Sequence, residues 1–432
     1  MVMPGCKSVF SHLPMHTKST SVFAVTALAV LWAILFSPVL RELTTQLGLV
    51  LPASSRGQAP PSASAVFRSF ERVLLLEEKG ETSASVSVGD LNGDGLPDIV
   101  LGKGRHWPLY NRVLLNDGKG GFTASNLGNA PGRTYSAALA DIDRDGDLDI
   151  IVSNDAPDRK LVYLNDGKGH FTEAGTFGSS DWTTRYVTLA DLNGDRYPDI
   201  VVANRGDYPD LVDGKPGEGR KVPTPSFVCL NDGKGHFPAC EALPTESATS
   251  IVAADLDGDG ALDLFVPHRD GGQSIILWND GKGHFPTSTK VGPAAAWIRM
   301  GAAGDFGGEG RLDLAFIDEQ KQAAFVIYNH GRRQFGEPER LPGPPRPPYA
   351  LAVSDLNHDG RPDIVVGYVE TPGSVYFNTA PHNSHEVRWN NEGTLYGLPL
   401  ADFNGDGWPD IVAVRSDAPN AIWFSTEPMP GR

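Results

Sequence analysis

Asp90-Leu91-Asn92-Gly93-Asp94-Gly95-Leu96-Pro97-Asp98 decides the fold, because the chain writes this nonapeptide again and again. The pattern D-x-[D/N]-x-D-G-x-x-D restarts at Asp141, Asp191, Asp255, Asp305, Asp355 and Asp402, at spacings of 51, 50, 64, 50, 50 and 47 residues. Seven copies at a period near fifty mean a repeat architecture. Oxygen-bearing side chains stand at positions 1, 3, 5 and 9, and a backbone carbonyl at position 7 can add a ligand. Calcium takes six to eight oxygens in flexible geometry and suits such a loop better than magnesium, which keeps more of its water. No Cys or His occupies a ligand position, so zinc and copper fit poorly.

The copies are unequal. Five keep every ligand and the glycine at position 6. Their ligands are Asp90, Asn92, Asp94 and Asp98; Asp141, Asp143, Asp145 and Asp149; Asp255, Asp257, Asp259 and Asp263; Asp355, Asn357, Asp359 and Asp363; and Asp402, Asn404, Asp406 and Asp410. A sixth, Asp191, Asn193, Asp195 and Asp199, has Arg196 in place of glycine. A left-handed turn costs a non-glycine residue about 1–2 kcal/mol, so this site should be weaker. The copy at Asp305 has Gly307 at position 3 and Glu309 at position 5, and no metal is expected there. The expectation is five or six Ca²⁺.

An EF-hand loop starts similarly but ends in Glu at position 12 between two helices. Here the flanks are Ser85-Val86-Ser87-Val88 and Ile99-Val100-Leu101, which read as strands. A second phrase, Leu115-Asn116-Asp117-Gly118-Lys119-Gly120-Gly121-Phe122, returns at 164–171, 230–237 and 278–285, and more loosely at 328–335. Its glycines supply the positive φ of a hairpin turn. Each repeat therefore reads strand, acidic loop, strand, connection, strand, hairpin, strand. Seven such units predict an all-β, seven-bladed β-propeller of four-stranded blades. The last repeat has strands at 395–403, 410–415 and 421–425 and lacks a fourth, so Arg68 to Leu76 is expected to complete it as a clasp.

These loops and turns resemble the FG-GAP/VCBS repeat family, the repeat of integrin α-subunit propellers and of many bacterial extracytoplasmic proteins. The resemblance covers residues 66–432. It implies the propeller strongly and function only weakly, since adhesins, lectins and carbohydrate-active enzymes share the repeat.

Residues 1–18 are polar, and 19–40 include a run of about twenty uncharged, mostly apolar residues, enough to span a bilayer. A signal-anchor with a cytoplasmic stub is the favoured reading, because the small-residue motif Ala63-Ser64-Ala65 lies far beyond the apolar run. A cleaved signal peptide is the alternative. Residues 41–65 form a Pro/Ala/Ser-rich linker. The expected arrangement is a propeller on the extracytoplasmic side, tethered to the membrane or secreted.

Net charge is −16, which argues against nucleic acid as a partner. The six plausible loops carry 20 negative side-chain charges, and six Ca²⁺ would leave the chain near −4. Cys229 and Cys240 lie on the two arms of one hairpin, where a disulfide or two buried thiols are both open.

All acidic loops join first to second strands and share one face of the disc. The opposite face collects arginines and aromatics, of which Arg133, Trp182, Arg185, Trp297, Arg299, Tyr349 and Tyr396 are the candidate ligand-binding residues. Such groups at a channel mouth suit sugars or anionic groups; sealing the channel is the plainer alternative. The 64-residue interval places an insertion at 206–226 on the same face, beside Arg205-Gly206-Asp207, an integrin-recognised tripeptide that also arises by chance. No nucleophile elbow, zinc-ligand helix or phosphate loop occurs, so no catalytic residue is assigned. Asp181, Asp270, Asp318 and Glu319 are carboxylates outside the loops, with no separation to judge them by. The leading expectation is a calcium-binding module for an extracellular glycan or protein ligand. The alternative is a polysaccharide lyase or hydrolase on the same scaffold.

Overall fold

The computed structural model describes residues 67–206, 211–212, 215–216, 224–245, 247–389 and 392–427. The expected stub, membrane segment and linker lie outside the described residues, as does most of the 206–226 insertion. Among the described residues no helix is long and apolar enough to cross a membrane.

Seven antiparallel sheets form the blades, one per repeat, and Leu211–Val212 pairs with Lys215–Pro216 as a separate two-stranded ladder. Blade 1 runs Ser83–Gly89, Asp98–Lys103, Arg112–Asn116 and Phe122–Asn126 in simple meander order. Blades 2 to 6 repeat this order from first strands at Thr134–Ala140, Thr184–Ala190, Val252–Ala254, Ile298–Gly304 and Pro348–Ser354. The acidic loop always joins first strand to second.

Each second strand reads as an aspartate followed by a run of mostly apolar residues. Asp98–Lys103, Asp149–Asn154, Asp199–Asn204, Asp313–Asp318, Asp363–Tyr368 and Asp410–Arg415 are buried at every residue. A strand covered on both faces by neighbouring blades has no solvent side and so needs no polar alternation. The core accordingly lies between blades. Val86, Ile99, Leu101 and Leu114 of blade 1 pack on Val412, Val414, Ile422 and Phe424 of blade 7.

That last contact closes the ring, and the expected clasp is present. Ser69–Leu75 pairs antiparallel with Ala421–Thr426, with Leu75 opposite Ala421 and Ser69 opposite Thr426. Phe70 is buried among Trp389, Trp423 and Leu395. Arg68 Nε donates to Ser425 Oγ at 2.8 Å, and Leu76 N to the Asn420 carbonyl at 2.8 Å. The first strand of blade 7 is broken into Leu395–Gly397 and Leu400–Ala401 rather than running through to 403. Pro399 lies in the break and lacks an N–H to continue the ladder.

The recurring Asn-Asp-Gly turn does more than reverse the chain. Asn279 Nδ2 donates to its own blade's Leu262 carbonyl at 2.9 Å and across to Leu192 of blade 3 at 2.8 Å. Asn165, Asn231, Asn329 and Asn378 likewise reach back to Leu91, Ile142, Leu256 and Phe306. In blades 2 to 6 the amide thus latches the hairpin to the second residue of the preceding blade's acidic loop. Cys229 and Cys240 are paired across blade 3 with Cα atoms 4.0 Å apart, so of the two open readings the disulfide is observed.

Candidate functional site

The acidic loops are built from the inside by their own carboxylates. In the first, Asp90 accepts from the N–H groups of Gly93 and Gly95, both at 2.8 Å, and so curls the loop around one side chain. Asp98 closes it, accepting from Leu91 N at 2.9 Å and Asn116 N at 2.7 Å. The sequence pattern points to glycine at position 6, and the structure adds position 4 as a second left-handed residue. Arg144 and His358 occupy position 4 at φ 62° and 55°, and Arg196 stands at position 6 with φ 74°. Loops two, three and six therefore each carry one strained residue where Gly serves elsewhere.

Do these loops fit calcium? In the second, one oxygen each from Asp141, Asp143 and Asp149 lie within 4.8 Å of one another, and the Oδ1 atoms of Asp141 and Asp143 are buried without a hydrogen-bond partner. Asp255, Asp257 and Asp263 converge in the same way. Orphaned carboxylate oxygens pointing together are what a hard divalent cation satisfies. Burial pushes the closing aspartates up, with neighbouring loop carboxylates adding to it against two backbone N–H donors. Asp149 and Asp363 rise to about 7, and Asp199, Asp263 and Asp410 to about 6. The donor set fits calcium, and Asp90, Asp141, Asp191, Asp255, Asp355 and Asp402 with their partners would hold it. The fifth loop keeps the same turn, with Gly310 N on Asp305 Oδ2 at 2.7 Å, while Glu309 is drawn off into an ion pair with Arg311. At the fourth, Arg333 from the next blade's hairpin reaches Asp257 at 2.7 Å and stands beside the cluster.

On the opposite face a second constellation rings the channel mouth. Ala84, Tyr135, Arg185, Arg299, Tyr349 and Tyr396 all line one cavity of about 90 Å³. Each sits six residues before its acidic loop, near the start of a first strand. At each of them the pairing register shifts, as between Thr134 and Ser136 or between Ile298 and Met300. A bulge re-aims one side chain out of the alternation, here into the channel. Residues just beyond the second strands supply the rest: Asp155, Arg205, Arg269 and Glu319 fall six residues after the closing aspartates of their loops, and Arg105 falls seven after.

These groups join every pair of neighbouring blades. Arg185 pairs with Asp155 at 2.7 Å, Arg205 with Asp270 at 2.8 Å, Arg269 with Glu319 at 2.5 Å, and Arg299 with the same Glu319 at 3.0 Å. Arg299 lies 4.1 Å over Tyr349, Tyr349 is 5.5 Å from Tyr396, and Arg105 lies 4.2 Å over Tyr396 and 5.7 Å from Tyr135. Burial lowers Arg269 to about 10, with Arg299 adding to the effect and Glu319 opposing it. Burial alone would raise Asp270, but Arg205 and Ser247 outweigh it and push the carboxyl down to about 2.

Of the seven candidate ligand residues, Arg185, Arg299, Tyr349 and Tyr396 meet at this mouth. The other three do not line it. Arg133 is paired with Asp158 at 2.8 Å, Trp182 stacks on Phe227 with centroids 4.0 Å apart, and Trp297 is half-buried beside Asp318. Tyr135, buried beneath Arg185, escaped the sequence reading. Aligning the repeats on the residue six before each loop would have found it.

A seven-bladed propeller with an acidic loop between the first and second strands of every blade is an FG-GAP-type disc. Residues 90–152, 149–202, 255–316, 305–366 and 355–413 each match the FG-GAP-like repeat model, and together they make up more than half of the sequence. The chain belongs to the FG-GAP-like repeat family. It is similar to integrin alpha-PS2 of Drosophila melanogaster, 27% identical over 151 residues covering 29% of this chain and 10% of that protein. It is also similar to integrin alpha pat-2 of Caenorhabditis elegans, 26% identical over 229 residues covering 45% of this chain and 18% of that one. The matches thus span less than a fifth of those relatives' length. Among solved structures, an Agrocybe aegerita lectin that recognises non-reducing terminal N-acetylglucosamine superposes with TM-score 0.51 at 20% identity, over 81% of this chain and 86% of the lectin. BBS1N, solved in complex with ARL6DN, superposes with TM-score 0.56 at 11% identity, over 84% of this chain and 98% of its own. At these identities the likeness is one of fold.

Proposed function

We propose that this protein is a calcium-stabilised binding module outside the cytoplasm, capturing a glycan or protein ligand at the arginine–tyrosine mouth. The observation that carries the reading is the convergence of Arg185, Arg299, Tyr349 and Tyr396 with three further arginines around one concave opening. Calcium in five or six loops would hold the opposite rims of the blades, and membrane attachment through residues 19–40 would present the disc to its surroundings. The Cys229–Cys240 disulfide and the integrin alpha relatives both favour an exported location. The mouth carboxylates Asp270 and Glu319 are each committed to arginines, which favours binding over acid–base catalysis.

The test presents full-length, calcium-loaded protein to panels of glycans and extracellular proteins and follows both capture and product release. Capture without turnover, lost on Tyr349→Ala with Tyr396→Ala while metal content is retained, is the expected result. Release of sugar from a polysaccharide would instead support the lyase or hydrolase reading.

A further inference from the structure

Among the described residues the mouth gathers more arginines than carboxylates. Arg105, Arg185, Arg205, Arg269 and Arg299 line it, and the carboxylates that meet them are Asp155, Asp270 and Glu319. Among the described residues five guanidinium groups meet three carboxylates there, in a chain whose net charge is −16. Arg269 and Arg299 share one glutamate. Among the described residues Arg105 has no carboxylate within salt-bridge reach; its guanidinium lies between Tyr396 and Tyr135. The Nε atoms of Arg105 and Arg269 are both buried with no hydrogen-bond partner, and Arg269 is only 5% exposed. Donors and charges kept this far from water are costly unless something answers them.

Resting on the binding reading above, we infer that the channel mouth is a receptor for a single oxyanion group of an acidic glycan, a carboxylate or a sulfate. The opening, about 90 Å³, admits a group the size of a carboxylate or sulfate. The anionic group enters and the sugar body stays on the rim, where the loop after the second strand of blade 1 exposes Trp107 at 67% and Tyr110 at 38%. Aromatic faces of that kind take sugar rings by their apolar sides. Guanidinium forks pair with carboxylate and sulfate oxygens through two parallel hydrogen bonds. Here the forks are already held by carboxylates and tyrosine rings, so little freedom is lost when the anion arrives.

The experiment uses full-length protein with calcium, in detergent, and measures binding by calorimetry to three oligosaccharide sets. One is an oligogalacturonate, one is its fully methyl-esterified form, and one is a sulfated oligosaccharide. The inference expects the oligogalacturonate, the sulfated set or both to bind, the neutral ester at least tenfold more weakly, and affinity to fall with salt. Arg105→Gln should lower acidic-glycan affinity at least tenfold with an unchanged melting temperature. Arg105→Lys, which keeps the charge without the fork, should fall between. The acidic set that binds more tightly identifies the anion. Equal binding of ester and acid, or full affinity in Arg105→Gln, overturns the anion receptor and leaves the binding module standing. Failure of every set overturns the anion receptor; if a neutral glycan or protein from the wider panel still binds, the module survives without it.

Discussion

Replacing Asn279 with alanine tests the inter-blade latch, a side-chain hydrogen bond that ties each of blades 2 to 6 to the blade before it. Its amide makes four hydrogen bonds: Nδ2 to Leu192 O at 2.8 Å and Leu262 O at 2.9 Å, and Oδ1 from Gly281 N at 2.9 Å and Gly283 N at 3.2 Å. The side chain is 4% exposed, so water cannot replace them. At about 1 kcal/mol net for each bond, the loss should be about 4 kcal/mol. Asn116 is the internal control. It holds the equivalent turn in blade 1, but its amide reaches Pro97 O of its own blade at 3.3 Å and accepts from Gly118 N at 3.0 Å. Asn116→Ala should cost about 1–2 kcal/mol on the same scale. Urea unfolding in saturating calcium, followed by tryptophan fluorescence, measures both variants against the parent. Equal losses, or an Asn279→Ala loss below about 1 kcal/mol, would show that the latch does not join the blades.

Other outcomes follow from the same structure. Phe70→Ala in the clasp should cost about 3–5 kcal/mol, because a large buried side chain leaves a cavity where the ring closes; unchanged melting would refute the closure. Asp141→Ala should remove one bound Ca²⁺ and lower calcium-dependent melting, whereas Asp305→Ala, in the loop whose Glu309 pairs with Arg311, should change neither metal content nor its effect. Asp270 has its carboxyl held at about 2, below the ordinary 3.8, so it contributes stability that is present above pH ~4 and lost as pH falls towards 2. A gap of nearly two units corresponds to about 2 kcal/mol. The stability difference between the parent and Asp270→Asn should therefore shrink across that window, and a difference independent of pH would contradict the assignment.

Much of this was legible because a repeat multiplies weak signals. One acidic nonapeptide is ambiguous, but seven in phase define blades, and the missing fourth strand of the last repeat pointed directly to 68–76. The latch was not legible. Asn in an Asn-Asp-Gly turn is explained well enough by the turn itself, and only packing brings Asn279 to Leu192 of another blade. The mouth was half legible. Arg185, Arg299, Tyr349 and Tyr396 stood out by chemistry, but Trp182 did so equally, and its stacking on Phe227 depends on a contact that no periodicity encodes. The bulge that turns Tyr135 inward is a property of backbone register, and the sequence carries only its place six residues before the acidic loop.

Calcium binding by the acidic loops is the claim on which the rest depends. Native mass spectrometry of the full-length protein, exhaustively dialysed and then titrated with calcium, counts the ions directly, with melting followed in parallel before and after chelation. The account predicts five or six bound Ca²⁺ and a large drop in melting temperature on their removal, since a ligand held only by the folded state stabilises it. A protein that binds no calcium, and melts identically with and without chelator, would contradict it.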